Sequence, residues 1–356
     1  MISAMNKNRS VTIVDIAEAA GVSIATVSNV LNRRKVPMAE ETIRKVEKAA
    51  EELGYRRNVM AASLSRRKSY ELGLIVPSFT GYYGRFAEEM ERKAHEYGYH
   101  MSVFSAGGYD PDMEKRHLDV LLQRRVEGLF CHGLAMSPDS TRQIVGVGTP
   151  LVLFNAWNWP EDLAVGAVNL DVGTACIDGL KHLAAQGCRT MFYLGRSQSY
   201  ATNVERKRGF RQGLSELSDE VLYASQLDVD VTSYAECVAI TQEHKADDGP
   251  IGIMSFDDMV ALKFMSAVLE KGYRVPQDYK IMGINNDTIS SSCYPQISTF
   301  DIPYGQQAQI AIGLMLRELG EESKLNDEQE PTLLPEPGVH EVRIPLTMVP
   351  RLSTQL

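Results

Sequence analysis

The chain has 356 residues, 44% hydrophobic and 23% charged, the composition of a soluble globular protein with two or three domains. No apolar run approaches the ~18 residues of a membrane span, and the polar start MISAMNKNRS lacks the apolar core of a signal peptide. Because the five cysteines are also scattered without a CxxC pair, we expect a cytoplasmic protein with no disulfide framework.

The net charge of −9 is divided unevenly along the chain. Residues 1–69 hold 13 Lys and Arg against 7 Asp and Glu, a charge of +6, which leaves −15 for the remainder. A basic head on an acidic body predicts that the head binds a polyanion and that the body repels it. An imbalance of solvated charges with no partner would give the same count.

The first 57 residues predict three short helices. The first, IVDIAEAA, begins at the capping motif TIVD and ends at Gly21, where the chain needs a positive φ. Ser23 caps a second helix over Ile24 to about Leu31, and a third runs from about Glu40 to Leu53. Two helices joined by a tight glycine-containing turn and supported by a third predict a helix-turn-helix domain over residues 9–57.

The next segment, RRNVMAASLSRRKS, is basic at both ends and predicts a linker over residues 58–69 that becomes helical only on contact. Beyond it, amphipathic helical patterns separate short apolar runs: LGLIVP, HMSVFSA, VEGLFC, PLVLFN, AVGAVNL, RTMFYLG, PIGIMSF and YKIMGIN. HEVRIPLTMV predicts a last strand. This alternation predicts parallel sheets covered on both faces, with too many units for one open sheet. We therefore predict an α/β body of two doubly wound parallel-sheet subdomains with a ligand cleft at the carboxyl ends of the strands.

Motifs of catalysis and of metal binding are absent from the sequence. GVGTP lacks the third glycine of a dinucleotide fingerprint, and there is no GxxxxGK[ST], GxSxG or HExxH. The seven histidines show no metal-ligand spacing. These absences predict a protein that is not an enzyme and uses no cofactor or metal, although a site assembled from distant loops would leave no motif.

Both the head and the body of the sequence resemble one known family. VTIVDIAEAAGVSIATVSNVLN, EETIRKVEKAAEELGYRRN and ASL closely resemble the DNA-binding head of the LacI/GalR family of bacterial repressors. LGLIVP, LLQRRVEGL, ERKRGF, GYRVPQDYKIMGINN and PQISTFDIP continue the resemblance, in family order, through the body. It implies a body similar to type I periplasmic sugar-binding proteins, with two subdomains joined by three crossovers. The implied division is 9–57 for the head, 58–69 for a hinge helix, and 70–356 for the effector and dimerisation domain, within which 70–168 and 300–328 form one subdomain and 169–299 and 329–350 the other.

The resemblance also implies the residues that touch DNA. Ile24, Ala25 and Asn29 would read bases, and the Asn29 carboxamide is able to bond adenine N6 and N7 together. The residues that would contact phosphates are Ser23, Thr26, Ser28 and Asn32. The hinge would add DNA contacts from Arg57, Asn58, Ala61 and Leu64. Leu64 would wedge into the minor groove. Three alternatives stay open: Asn29 as a plain surface residue, Thr26 as a packing residue, and Leu64 as an exposed leucine in a disordered linker.

The head also departs from the family at Ala39, where relatives usually have a Ser or Thr that caps the third helix. Losing this cap should cost about 1 kcal/mol of local stability. Glu40 and Glu41 offset part of the loss through the helix dipole.

The effector residues implied by the resemblance are Phe79, Tyr83, Trp157, Asp171, Thr202, Arg206, Asp257 and Asn285. Two positions depart from the family pattern: Asn285 stands where many relatives have an aspartate, and Phe256 replaces a common asparagine. Trp157 would stack on a sugar face, or it is simply a packed loop residue. The aromatic and planar polar set favours a sugar or sugar derivative, with a purine-type ligand as the alternative.

Together these features predict a transcriptional regulator that acts as a repressor of a carbohydrate operon. Its partners would be a palindromic double-stranded DNA operator, a small sugar-like effector and a second copy of the chain, with a tetramer left open and no membrane. The alternatives are a purine- or other metabolite-responsive regulator that uses a corepressor, and a cytoplasmic ligand-binding protein without a regulatory role. The sequence does not indicate whether the effector weakens or tightens DNA binding.

Overall fold

The computed structural model divides into two compact units, Met1–Ser69 and Tyr70–Leu356, called here the head and the body. It describes residues 11–31, 36–55, 68–108, 110–132, 136–146, 148–157, 159–197, 201–326, 335–336 and 340–355. Five residues predicted to contact DNA lie outside these ranges: Asn32, Arg57, Asn58, Ala61 and Leu64.

The head contains the three predicted helices, α1 (Ile13–Ala20), α2 (Ile24–Leu31) and α3 (Glu40–Glu52). Gly21 ends α1 with a φ of 65°, the left-handed conformation that glycine adopts without strain. Each helix contributes two buried residues to one small core: Ile16, Ala17, Val27, Val30, Val46 and Ala49. The periodicity predicted these helices because each buries a single stripe.

The three helices begin with different caps. The Asp15 carboxylate accepts hydrogen bonds from both the backbone N–H and the hydroxyl of Thr12, each at 2.7 Å. Ser23 Oγ accepts from the Thr26 N–H at 3.1 Å. Ala39 stands at the N-cap of α3, and its methyl group cannot accept a hydrogen bond from the first turn, so only the charges of Glu40 and Glu41 stabilise the N-terminus of that helix.

The first subdomain of the body is built on a parallel sheet of order β11-β5-β4-β3-β1-β2. Its strands are β1 (Glu71–Val76), β2 (His100–Ser105), β3 (Gly128–His132), β4 (Leu151–Phe154), β5 (Gly166–Leu170) and β11 (Glu341–Ile344). On one face pack α4 (Tyr82–Glu96) and α12 (Tyr304–Glu318), and on the other α5 (Pro111–Gln123) and α6 (Pro138–Val145). Because β3, β4 and β5 are buried at every position, they appear in the sequence as largely apolar runs.

The second subdomain has a parallel sheet of order β7-β6-β8-β9, made by β6 (Thr190–Gly195), β7 (Tyr223–Asp228), β8 (Ile251–Ser255) and β9 (Tyr279–Met282). Its helices are α7 (Val172–Ala185), α8 (Ala201–Glu216), α9 (Tyr234–Glu243), α10 (Asp258–Glu270) and the short α11 (Thr288–Ser292). Strand β7 was not among the predicted strands, because this edge strand is half-buried throughout and its sequence, YASQLD, has no apolar run.

The described chain passes between the two subdomains at three places, near residues 170–172, 302–304 and 344–347. The predicted last strand, HEVRIPLTMV, is divided there. Pro345 separates β11, which joins the first sheet, from β12 (Thr347–Val349), which pairs antiparallel with β10 (Thr299–Asp301). The assignment of all of 329–350 to the second subdomain was therefore wrong for β11, whose Ile344 is buried in the core of the first.

In the described part of the chain, no single helix is long and apolar enough to cross a membrane. Only α1 and α2 taken together have the required length and apolar composition, and the chain bends by 107° between them.

Replacing Ala39 with serine should raise the stability of the head by about 1 kcal/mol, because a seryl oxygen at this position accepts a hydrogen bond from the first turn of α3. Native-state hydrogen exchange of the α3 amides in the full chain measures the gain. Ala39→Val is the matched control, since valine is as poor a cap as alanine. Equal protection in the serine and valine variants would contradict the assignment of this cap.

Candidate functional site

One face of α2 is free of the head's core and carries no charge. Ile24 is 47% exposed, Ala25 is exposed, and Ser28 and Asn29 are half-buried, while Val27 and Val30 point into the core. An exposed isoleucine beside an exposed alanine offers apolar contact to thymine methyl groups, and the Asn29 carboxamide offers a donor and an acceptor. The helix therefore presents the three predicted base readers on its accessible side.

The hydroxyl groups at the start of α2 are tied to each other. Ser23 Oγ lies 2.9 Å from Thr26 Oγ1, so one of the two hydroxyl protons is used between them. The second hydroxyl proton remains for an outside acceptor, and the half-exposed N-terminus of the helix adds a positive dipole end. This arrangement suits a phosphate oxygen better than a base edge.

In the body, a cleft of about 650 Å³ is lined by residues from both subdomains. The first subdomain contributes Pro77, Ser78, Thr80, Gly81, Tyr82, Tyr83, Gly108, His132 and Asn155. The second contributes Arg196, Thr202, Arg206, Asp230, Phe256, Asp257, Met259, Asn285 and Asp287. The crossovers supply Leu170, Val172 and Ile302 at the junction. The carboxyl ends of both sheets therefore meet at one place, where ligands bind in folds of this kind.

Five of the predicted effector residues line this cleft together: Tyr83, Thr202, Arg206, Asp257 and Asn285. The structure places the other three outside the lining. Phe79 is 55% exposed on the loop after β1, and Trp157 packs against the core of the first subdomain. Asp171 caps α7, with its carboxylate accepting from the backbone N–H and the hydroxyl of Thr174 at 3.0 and 2.8 Å.

The wall from the first subdomain is aromatic and carries no charge. His132, the last residue of β3, is 3% exposed, and burial lowers its pKa to about 3, so its ring is neutral at physiological pH. Asn155 Nδ2 donates to His132 Nε2 at 2.9 Å, and the Tyr82 hydroxyl lies 3.0 Å from the same nitrogen. The Tyr83 ring stands edge-on to the imidazole, with centroids 4.9 Å apart. This wall is suited to the apolar faces and neutral hydroxyls of a ligand.

Asn155 connects this wall to the neighbouring strand. Its backbone has a φ of 49°, which asparagine tolerates better than most residues. Its Oδ1 accepts from the Leu170 N–H at 2.9 Å, at the end of β5. The hydrogen bond to Leu170 orients the amide, so the donor nitrogen faces His132.

The opposite wall is dominated by arginine. Arg206, on α8, is 6% exposed, and its guanidinium lies over the Phe256 ring at 4.4 Å from the centroid. Arg196, which follows β6, lies over the same ring at 5.3 Å. Stacking on a phenyl ring stabilises both cations and leaves the N–H edges of the guanidinium for in-plane partners.

The carboxylates of the cleft are already engaged. Asp230 accepts from the Ser197 N–H and hydroxyl, both at 2.8 Å; although burial raises its pKa, these bonds and the charge of Arg196 lower it overall. Asp257 caps α10 by accepting from the Val260 N–H at 2.7 Å. Among the described residues, no group of three or more His, Cys, Asp or Glu side chains is arranged to hold a metal ion.

Several lining residues were not predicted, and one rule would have found most of them. His132, Asn155, Arg196 and Asp230 each end or closely follow a strand of a parallel sheet. The carboxyl ends of such strands meet at one edge, so a polar residue just after an apolar run is a candidate for the site. Asp230 was the hardest to find, because the strand before it has no apolar run.

Comparison with known proteins extends over both units. Residues 12–58 match the model for bacterial regulatory proteins of the lacI family, and residues 180–354 match that for a periplasmic binding protein-like domain. Catabolite control protein A of Staphylococcus xylosus is 27% identical over 330 residues, which are 91% of this chain and 96% of that protein.

Solved structures show the same fold. The lac repressor dimer bound to operator and the anti-inducer ONPF gives a TM-score of 0.80 at 21% identity, over 98% of this chain and 100% of that one. A complex of the transcriptional regulator CelR with cellobiose gives a TM-score of 0.62 at 21% identity, over 96% of this chain and 99% of that one.

Replacing His132 with glutamine should reduce the loss of stability on acidification. The unfolded chain binds a proton at this histidine as the pH falls through about 6.5, whereas the folded chain does not bind that proton until the pH falls to about 3. His132 should thus account for roughly 2 kcal/mol of the stability lost between pH 7.5 and pH 5. Denaturant unfolding of both proteins at the two pH values measures this difference. An identical pH dependence in the two proteins would show that the buried imidazole is not held neutral.

Proposed function

The chain belongs to the LacI family of bacterial regulatory proteins and is a DNA-binding transcriptional regulator, and from this premise we propose that it represses an operon under the control of a small sugar-like ligand. The observation that carries the proposal is the presence, in one chain, of a helix-turn-helix head and a ligand cleft. The head exposes an uncharged recognition face on α2, and the body holds a cleft lined from two subdomains.

The head binds a palindromic operator as part of a homodimer. Two-fold symmetry places two recognition helices in successive major grooves, so each half-site is read by one copy of α2. The charge of +6 on residues 1–69 attracts the duplex, whereas the charge of −15 on the remainder keeps the body away from it. Asn29 supplies the polar readout, and Ile24 and Ala25 supply apolar contacts.

The cleft binds a sugar or sugar derivative. Tyr83 and the neutral imidazole of His132 offer ring surfaces, while Thr202, Asp257 and Asn285 offer donors and acceptors for hydroxyl groups. CelR, whose fold is similar, was solved with cellobiose, which supports this ligand class. A purine-type corepressor is the second candidate, because the same planar groups would stack on a base.

Ligand and operator are coupled through the arrangement of the two subdomains. A ligand that touches both walls of the cleft favours the arrangement in which the walls are close, and it shifts the protein toward that state only by its difference in affinity. Linkage makes the effect reciprocal, so a ligand that weakens operator binding is itself bound more weakly by the operator complex. This role involves no catalysis, and we place the protein in the cytoplasm, where the chromosome is accessible.

The regulator assignment is tested by removing the head. Full-length protein should shift a palindromic DNA fragment from upstream of its own or a neighbouring operon, and a chain that starts at Ser69 should not, because it lacks the recognition helix. Gel-shift titration at several salt concentrations, with an unrelated duplex as control, makes the measurement. Uniform, salt-labile binding to both duplexes would contradict a sequence-specific regulator.

Replacing Asn29 with alanine should weaken binding to the operator by roughly 1–3 kcal/mol, because a bidentate contact to a base is lost. Affinity for an unrelated duplex should stay unchanged, since that binding depends on phosphate contacts. Asn29→Gln is the matched variant, as it keeps the carboxamide on a longer side chain. If Asn29→Ala weakens both duplexes equally, Asn29 is a surface or phosphate-binding residue and does not read a base.

A further inference from the structure

The first residue of the body has a strained backbone. Tyr70 has a φ of 55°, a left-handed conformation that is uncommon for any residue with a side chain and most of all for a bulky one. Such a conformation persists only where the surrounding contacts hold it. Tyr70 is also the residue at which the linker predicted over residues 58–69 joins the body. The contacts that hold Tyr70 therefore fix the point and the direction at which the linker leaves the body.

The backbone of Tyr70 is held on both sides. Its N–H donates to Glu127 Oε1 at 2.6 Å, from the residue that precedes β3. Its carbonyl accepts from the N–H of His100, the first residue of β2, at 2.8 Å. The Tyr70 ring lies against the buried ring of Tyr99, with the centroids 5.8 Å apart. Groups from two other segments of the chain therefore hold the residue in its strained conformation.

The ammonium group of Lys324 lies over both rings. Its Nζ is 5.7 Å from the centroid of Tyr70 and 4.8 Å from that of Tyr99, distances at which a cation is attracted to an aromatic face. The same nitrogen donates to the Tyr97 carbonyl at 3.1 Å and forms an ion pair with Glu321. The Tyr99 hydroxyl in turn donates to Glu321 Oε2 at 3.0 Å. Lys324 therefore joins the ring of Tyr70 to a network of partners behind it.

The position of Lys324 is itself fixed by packing. The residue lies in a short 3₁₀ helix, Glu322–Asn326, that follows α12, and α12 is buried along most of its length. Leu319 and Leu325, before and after Lys324 in the chain, both pack against the core of the first subdomain. Lys324 therefore reaches Tyr70 from a packed element, and its side chain is only 34% exposed.

We propose that Lys324 is a positioning residue for DNA binding, which clamps Tyr70 and thereby sets the half-site spacing that the two heads of a dimer read. The proposal rests on the proposed function, because it concerns the binding of one operator by two heads. Two tethered modules bind together most tightly when the span of their tethers matches the distance between their sites. A fixed starting point for each linker narrows the range of spans, so the dimer binds the matching spacing tightly and discriminates against others.

The test varies the spacing of the operator. Full-length protein is titrated in gel shifts with a palindromic fragment from upstream of its own or a neighbouring operon, and with the same fragment lengthened by one or two base pairs at its centre. Each added pair separates the half-sites by about 3.4 Å and rotates them by roughly 35°. The parent should lose about tenfold or more in affinity when two pairs are added. A parent that binds the lengthened fragments equally well overturns the proposal.

Variants assign the spacing preference to Lys324. Lys324→Met, which removes the charge and the N–H donors, should bind the original fragment about 3- to 10-fold more weakly and lose less than about threefold on lengthening. Lys324→Arg should keep the parent's preference, because a guanidinium also stacks on aromatic rings. Lys115→Met is the matched control, since Lys115 is exposed on α5, on the other face of the same sheet. A parent-like spacing profile in Lys324→Met overturns the proposal.

Hydrogen exchange of the full-length chain tests the clamp without DNA. In Lys324→Met the amides of Tyr70 and His100 should exchange about tenfold or more faster than in the parent, because the ring of Tyr70 is released. The amides of β6 and β8 should be unchanged, since these strands belong to the other sheet. Unchanged exchange at Tyr70 would show that the cation does not hold this residue, and it would overturn the proposal.

The two sets of measurements separate this inference from the proposed function. Specific binding of the palindromic fragment by the parent, with the same spacing profile in Lys324→Met, defeats the inference about Lys324 alone. Equal binding of the palindromic fragment and an unrelated duplex by the parent defeats the regulator proposal and this inference together.

Discussion

Three short crossovers are the constraint on which the body depends. In a parallel sheet every carboxyl end lies at the same edge, and chain passages near residues 170–172, 302–304 and 344–347 turn the two edges toward one cleft. Two of these passages are joined directly, because the Asp171 N–H donates to the Ile344 carbonyl at 2.8 Å. Residues that are more than a hundred positions apart, such as His132 and Asp257, therefore line the same cavity. Both subdomains must contribute to any ligand site formed there.

The walls of the cleft differ in electrostatics for a physical reason. Burial disfavours the charged form of every ionisable side chain. The two walls respond differently because an imidazole can be neutral, whereas a guanidinium keeps its proton. His132 avoids the cost by remaining neutral, held by a hydrogen bond from Asn155. Arg206 has no such option, so the Phe256 ring takes the place that a carboxylate usually fills. One wall therefore offers neutral rings and the other a cation, and a ligand in the cleft meets both.

Local features were predictable where one segment decides its own structure. The helices α1, α2 and α3 were predicted from caps, a left-handed glycine and a repeating apolar stripe, since each signal lies within a few residues of its effect. Strand β7 was not predicted, because a half-buried edge strand needs no apolar run. Strand β11 was assigned to the wrong subdomain, because the sheet that it joins depends on a partner strand far along the chain. In the cleft, Arg206 and Asn285 were named from the family resemblance, whereas Arg196 and Asp230 became candidates only after their strands were placed.

By itself the sequence determined the class of the protein: a basic helix-turn-helix head whose second helix is uncharged, and an acidic α/β body. These properties follow from composition, periodicity and short motifs, which are written in neighbouring residues. Only the tertiary structure decided which side chains share the cleft, and which of its charges are paired there. Pairing depends on distances between strands, and burial keeps His132 neutral over a much wider pH range than a solvated imidazole. No pattern of adjacent residues encodes those distances, because the crossovers set them.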